Sequence, residues 1–260
     1  MTGFNLLGIL VFLPALPAFT RFLSGFFVES QAGIARSLKT AVAADAESAL
    51  EALLLEVDHL ADRVRRFTAA VLAPDGAGME SEEAMDEYLA IKKLEAEILE
   101  FGLKLQRSSL DLKQSQRLES LLASARDLVH CAKSIKDSSK DMATIKDSSS
   151  EQDRALHVAI VDAYGPRFTH PRRPRDPVSF EGFARMDAEI QRTHSTIHEK
   201  VYAGLSEGHL AWPDASSLLN ANRELFIAAS DYTNAIARLS LSASQFDDFE
   251  NVPRATAPAA

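Results

Sequence analysis

Apolar residues recur along most of the chain at steps of three and four, the spacing that places them on one face of an α-helix. The repeat is clearest over residues 118–145, where a seven-residue pattern is interrupted by one polar residue, Ser139. Such a pattern predicts a long helix that packs lengthwise against others in a bundle. Its apolar positions are Leu118, Leu121, Ala125, Leu128, Ala132, Ile135, Met142 and Ile145.

The same periodicity predicts four more long helices, and Ala155–Ala163 could add a short one. Acidic residues after Ser81 and a proline at position 213 fit the starts of two of them. No segment shows the alternation of a strand, so we expect an all-α fold, an antiparallel helical bundle over residues 31–241. The four long helices are predicted at about residues 31–72, 81–105, 180–205 and 213–241.

Three segments interrupt or end the helical pattern. Residues 73–78 form a Pro/Gly turn between the first two helices. Residues 165–177 are rich in proline and arginine, and we predict a loop or hinge there, with a domain boundary as one option. Residues 245–260 are acidic and then rich in Pro and Ala, which predicts a disordered tail.

The N-terminal residues differ in composition from the rest of the chain, because no charged residue occurs from Phe4 to Thr20. This run is at the short edge of a bilayer span, and it lacks the basic start and small cleavage residues of a signal peptide. Pro14 and Pro17 near its end are tolerated at membrane depth when neighbouring helices satisfy the backbone. We therefore predict that residues 1–27 are the last transmembrane segment of a polytopic protein.

The net charge and the number of cysteines exclude some classes of function. The formal net charge of -9 argues against a nucleic-acid partner, which requires a basic face. The one cysteine, Cys131, excludes an internal disulfide framework and is predicted to lie in the core. The chain shows no nucleophile–base pair, phosphate loop or nucleotide fingerprint, so we expect no enzymatic activity. Arg21, Arg36 and Lys39 favour a cytoplasmic location for the helical domain.

Several stretches resemble one family. FNLLGILVFLPALPAF, from Phe4, resembles the final membrane segment of bacterial Na+/phosphate cotransporters. LLLEVDHLADRVRRF (residues 53–67), EYLAIKKLEAEILEFGLKL (87–105) and ARDLVHCAKSIKDSSKDMATIKDSS (125–149) resemble the PhoU-like cytoplasmic domain that follows that segment. The resemblance covers residues 4–149, and from 151 to 241 it rests on the number and order of helices.

This resemblance implies a C-terminal fragment of a sodium-dependent inorganic phosphate symporter in the bacterial inner membrane, bearing a PhoU-like regulatory domain. The fragment would not be transport-competent by itself, since the Gln-Ser-Ser-Ser motif of the transport core is absent. Its partners would be the membrane, the transporter core or a phosphate-signalling protein, with homo-oligomerisation also open. The alternatives are a stand-alone, membrane-tethered PhoU-like adaptor in phosphate signalling, and a structural bundle without a ligand.

The resemblance also implies a metal site. PhoU proteins bind iron or zinc clusters through Glu/Asp-x-x-x-Asp motifs, and Asp58 and Asp62 match this motif. Glu56 completes the predicted ligand set, although it lies nearly opposite on an ideal helix, and His59 could add a nitrogen. The competing interpretation is a solvated acidic face in which Asp62 pairs with the arginines three and four residues further on.

Other polar groups each have two interpretations. His194 and His198 have the spacing of a metal-chelating pair, but exposed histidines are the alternative. The Asp and Lys residues of 133–147 form either a docking face or a surface of salt bridges. A basic patch could contact anionic lipid or belong to a plain linker. It consists of Arg167, Arg172, Arg173 and Arg175.

Overall fold

The computed structural model describes residues 34–38, 45–73, 81–168 and 179–252. Over these residues the fold is all-α, as the periodicity predicts, with seven α-helices and no strand. A short 3-10 helix, Gly165–Phe168, follows the fourth helix. The helices are α1 (Ala46–Val71), α2 (Ser81–Gln106), α3 (Leu112–Lys146), α4 (Glu151–Tyr164), α5 (Phe180–Ser206), α6 (Trp212–Ser240) and α7 (Ala243–Glu250).

The centre of the bundle is the α3–α6 seam, the most extensive helix–helix contact among the described elements. Every predicted apolar position of the α3 heptad is buried, which confirms the pattern. Several positions on both helices are alanine, whose small side chain lets two helix axes approach closely. The buried residues that α6 contributes include Leu218, Asn222, Leu225, Ala229, Tyr232 and Ile236.

Helices α1, α2 and α3 pack on one another, and α5 packs on α6. The loops between α2 and α3 and between α5 and α6 are five residues long, so the members of each pair run antiparallel. None of the described helices has both the length and the apolar character needed to cross a bilayer. The predicted membrane segment, residues 1–27, lies outside the described residues.

The first helix begins later than predicted. It starts at Ala46 after the N-cap Asp45, whereas the pattern predicts a start near residue 31. Residues 34–38 are described and are not helical. Their backbone N–H groups donate to carboxylates of α1 and α2 instead of to carbonyls one turn back. A tertiary contact therefore overrides the local apolar pattern.

The predicted hinge is structured in its first part. Gly165–Phe168 form the 3-10 helix, and Phe168 is buried with its ring edge-on to Tyr232 at a centroid distance of 5.7 Å. Burial of this aromatic ring fixes the end of α4 on α6. The remaining hinge residues, 169–177, lie outside the described part of the chain.

The prediction of disorder from Gln245 is wrong for residues 245–250, which belong to α7. Ser242 and Gln245 form a capping box at its start, and Phe246 and Phe249 are buried. The ring of Phe249 packs against Phe183 of α5 at 6.2 Å. Two buried aromatic side chains thus stabilise a segment whose acidic composition suggested a tail. Residues 253–260 lie outside the description.

Candidate functional site

Glu56 of α1 is fully buried, and the fold gives its carboxylate specific partners. Its Oε2 accepts the backbone N–H groups of Arg36 and Ser37 at 2.9 and 2.8 Å. Its Oε1 lies 2.7 Å from Nδ1 of His59, one turn along the helix. A buried carboxylate is tolerated when its oxygens are hydrogen-bonded, and Glu56 meets this condition.

Glu97 of α2 completes the arrangement from the other side. Its Oε1 accepts the N–H of Ile34 at 2.9 Å, and its Oε2 accepts the N–H of Ala35 at 2.8 Å. Two carboxylates on two helices therefore bind four consecutive backbone N–H groups. We call Glu56, Glu97 and residues 34–38 the carboxylate clamp.

The clamp fixes the point at which the chain enters the helical bundle. Hydrogen bonds to charged groups are worth about 1.5–3 kcal/mol each, roughly twice the neutral kind. Ala35 is buried, and Ile34 and Leu38 pack on the core, so apolar contacts reinforce the polar ones. A relative shift of α1 and α2 would strain or break these bonds. The position of residues 34–38 is thus coupled to the packing of two helices.

The three predicted metal ligands do not converge. Glu56 is occupied within the clamp, and Asp58 is buried. Asp62 pairs with Arg65 at 2.8 Å and with Arg66 at 3.2 Å, as the competing interpretation predicts. Among the residues that the structure describes, no group of three or more His, Cys, Asp or Glu side chains could hold a metal ion. The geometry does not fit an iron or zinc centre at Glu56, Asp58 and Asp62.

The two histidines of α5 are aromatic packing partners. His194 and His198 have ring centroids 6.2 Å apart. His194 lies 4.6 Å from the Phe226 ring, and His198 lies 4.6 Å from the Tyr202 ring. Burial, and secondarily the neighbouring His198, lowers the pKa of His194. No third ligand accompanies them within the described ranges, so the geometry favours packing over chelation.

The charged face of α3 has salt bridges at Asp137. Its carboxylate lies 2.7 Å from Nζ of both Lys133 and Lys136. Cys131, on the same helix, is fully buried, and this burial raises the pKa of its thiol. The thiol is therefore packed core, as predicted, and is held in its protonated form.

Of the predicted basic patch, Arg167 is described, and it forms an ion pair with Glu189 of α5. Arg172, Arg173 and Arg175 lie outside the described residues. The patch therefore contributes one guanidinium to the described surface, beside a groove between α4 and α5.

Sequence reasoning missed Glu97 and a His–Asp pair. His130 of α3 has its Nδ1 2.6 Å from Oδ2 of Asp231 on α6, at the exposed margin of the α3–α6 seam. Neither contact has a local signature, because the partners are far apart in sequence. The sequence pattern of α2 gives one indication that Glu97 lies near the core. Its position on the helix is next to the buried Ile98 and Leu94.

Comparison of the chain with protein-family models, with curated proteins and with solved structures gives no match.

Proposed function

We propose that this chain is a regulatory helical bundle coupled to a membrane segment, at the C-terminus of a sodium-dependent phosphate symporter. In this proposal residues 1–27 are the last transmembrane segment of an inner-membrane protein. The PhoU-like bundle lies on the cytoplasmic side, is not an enzyme and does not transport phosphate by itself. The observation that carries the proposal is the carboxylate clamp.

The clamp supports a regulatory role because it connects helix packing to the chain that follows the apolar run. Glu56 and Glu97 belong to different helices but bind adjacent peptide groups. A signal that changes the relative position of α1 and α2 would therefore change the hold on residues 34–37. Such a signal acts only if it binds two arrangements of the bundle with different affinity. No step of this mechanism uses a metal.

The first test is the mass of the native polypeptide in bacterial membranes, detected with an antibody against the helical domain. A membrane band well above 28.4 kDa is expected, since the chain would be part of a complete symporter. Cells that express the larger native polypeptide should then take up radiolabelled phosphate faster in sodium than in potassium buffer. Absence of sodium-dependent uptake would contradict the symporter assignment.

The regulatory step is tested with the double variant Glu56→Gln and Glu97→Gln, which keeps the side-chain shapes and removes both charges. We expect an altered uptake rate at unchanged abundance in the membrane. The matched control is Glu119→Gln, an exposed carboxylate on α3. Equal uptake by the double variant and the wild type would remove the clamp from the mechanism.

A membrane band at 28.4 kDa would instead favour the stand-alone adaptor. The adaptor should co-purify with a transporter or a histidine kinase of the phosphate response. Co-purification that is lost in the double variant but kept in Glu119→Gln would assign the clamp to partner binding.

A further inference from the structure

A groove with a cavity of about 320 Å³ lies between α4, the 3-10 helix and α5. Its lining includes three cations, Arg167, Arg192 and Lys200, and one carboxylate, Glu189. The lining therefore has a net charge of +2 on a chain whose formal net charge is -9. A local reversal of sign inside a concave surface favours an anionic ligand.

The helix phase of α5 produces this concentration of charge. Arg192, Thr196 and Lys200 follow one another at steps of four, which places them on the same face of the helix. Lys200 is exposed and forms no ion pair with any residue in the described ranges. Its charge is therefore available to a ligand.

Arg167 adds a positive charge from the opposite wall. One of its terminal nitrogens is held by Glu189, which orients the guanidinium. Its Nε is buried and has no hydrogen-bond partner in the described part of the chain. A buried donor without a partner costs free energy.

The remaining lining resembles that of a small-molecule site. Thr193 and Thr196 contribute hydroxyl groups, whereas Ala159, Ala163 and Ile197 form an apolar wall. The volume is at the lower end of the range for ligand pockets and exceeds what an inorganic anion alone would fill. A ligand with an anionic end and a compact organic part would match a lining that is cationic and polar on one side and apolar on the other.

We propose that the groove binds a small phosphomonoester. Arg192 and Lys200 would bind the phosphate oxygens, since Arg and Lys are the usual phosphate donors, and Arg167 would add positive charge on the opposite wall. The organic part would lie against Ala163 and Ile197. This site shares no residue with the carboxylate clamp, so it does not rest on the function proposed above.

The test is calorimetric titration of the purified full chain with glycerol phosphate, inorganic phosphate and sulfate in turn. We expect saturable binding of glycerol phosphate with a Kd below about 1 mM. Lys200→Gln and Arg192→Gln should each weaken binding about tenfold, the effect of losing one charged hydrogen bond. Lys140→Gln, which removes an exposed charge from α3, is the matched control and should bind like the wild type.

Each other outcome decides against part or all of the proposal. Absence of saturable binding, or wild-type affinity in Lys200→Gln, overturns the site. Equal weakening in Lys140→Gln, or equal affinity for sulfate, shows unselective attraction to positive charge and also overturns it. Tighter binding of inorganic phosphate than of glycerol phosphate overturns the organic part and identifies free phosphate as the ligand. These results are independent of the uptake experiment, which substitutes Glu56 and Glu97 and leaves the groove residues unchanged.

Discussion

Two regions of this bundle, the α3–α6 seam and the partly buried carboxylate clamp, are stabilised in different ways. The seam is a continuous stripe of apolar and small side chains whose burial is non-directional. The clamp is a set of directional, charge-assisted hydrogen bonds to four peptide groups. The seam should therefore determine whether the bundle is folded, and the clamp should determine how its N-terminal residues are held.

Truncation in the seam should have the largest effect. Leu128→Ala removes a fully buried side chain of α3, and we expect a loss of about 2–5 kcal/mol in the free energy of unfolding. Leu112→Ala makes the same change on the same helix at a position that is 77% exposed. The control should change stability by less than about 0.5 kcal/mol. Urea unfolding followed by circular dichroism measures both, and similar losses would contradict the assignment of the core.

Neutralising one half of the clamp should have a smaller and more local effect. Glu56→Gln weakens the hydrogen bonds from Arg36 and Ser37, at a cost of about 1.5–3 kcal/mol. Amide hydrogen exchange at these two residues should accelerate, whereas exchange within the seam should stay close to that of the wild type.

Glu119→Gln provides the baseline for this experiment, because Glu119 is exposed on α3. If Glu56→Gln accelerates exchange equally in the clamp and in the seam, the two regions unfold as one unit and the distinction between them fails.

A third buried contact combines the two modes. Asn222 occupies a seam position on α6, yet it accepts a hydrogen bond from the Tyr164 hydroxyl at 2.8 Å and donates to the carbonyl of His194 at 3.0 Å. Tyr164→Phe should lower the free energy of unfolding by about 1–3 kcal/mol, since the side-chain oxygen Oδ1 of Asn222 loses its donor. Tyr202→Phe, at a tyrosine that is 49% exposed, should be nearly neutral. Thermal unfolding of both variants measures the difference, and equal Tm values would contradict the role of this bond.

The smallest expected effect is a dependence of stability on pH. Burial, and secondarily Lys146, lowers the pKa of His157, and burial also lowers the pKa of His194. Below a pH of about 6.5 the unfolded chain binds more protons at these sites than the folded chain. The contribution of these two histidines to the free energy of unfolding is therefore complete above that pH. It decreases as the pH falls towards their lowered pKa values.

Thermal unfolding between about pH 7.5 and 5.5 tests this dependence. His157→Gln should flatten part of the decrease in Tm, because it removes one of the two histidines with a lowered pKa. A slope that is identical in the His157 variant would exclude this histidine as a contributor.

The comparison of seam and clamp also explains what the sequence could predict. Leu118 to Ile145 form a local repeat, and a repeat specifies which face of a helix is buried. The sequence does not predict the packing of α7, because acidic residues adjoin Phe246 and Phe249 and Phe183, which contacts Phe249, is distant in sequence. Composition reports the average of a segment, whereas two buried rings are enough to order it.

The clamp and the groove could not be predicted for a related reason. Glu97 accepts from Ala35, 62 residues earlier, and such a contact leaves no periodic signal. The sequence places Arg167 in a basic patch, but whether it lines the same groove as Lys200 depends on how α4 and α5 pack. The predicted metal ligands do not converge, because Glu56 binds the backbone of residues 36 and 37 and Asp62 pairs with nearby arginines.

The clamp also has a consequence for the order of events during synthesis. Residues 34–37 leave the ribosome before either of the carboxylates that bind them, and Glu97 is made 62 residues after Ala35. At about 5–20 residues per second, this interval is roughly 3–12 s. During that time residues 34 and 35 cannot bind to α2, because Glu97 has not yet been synthesised. The complete clamp can therefore form only after both α1 and α2 have been synthesised.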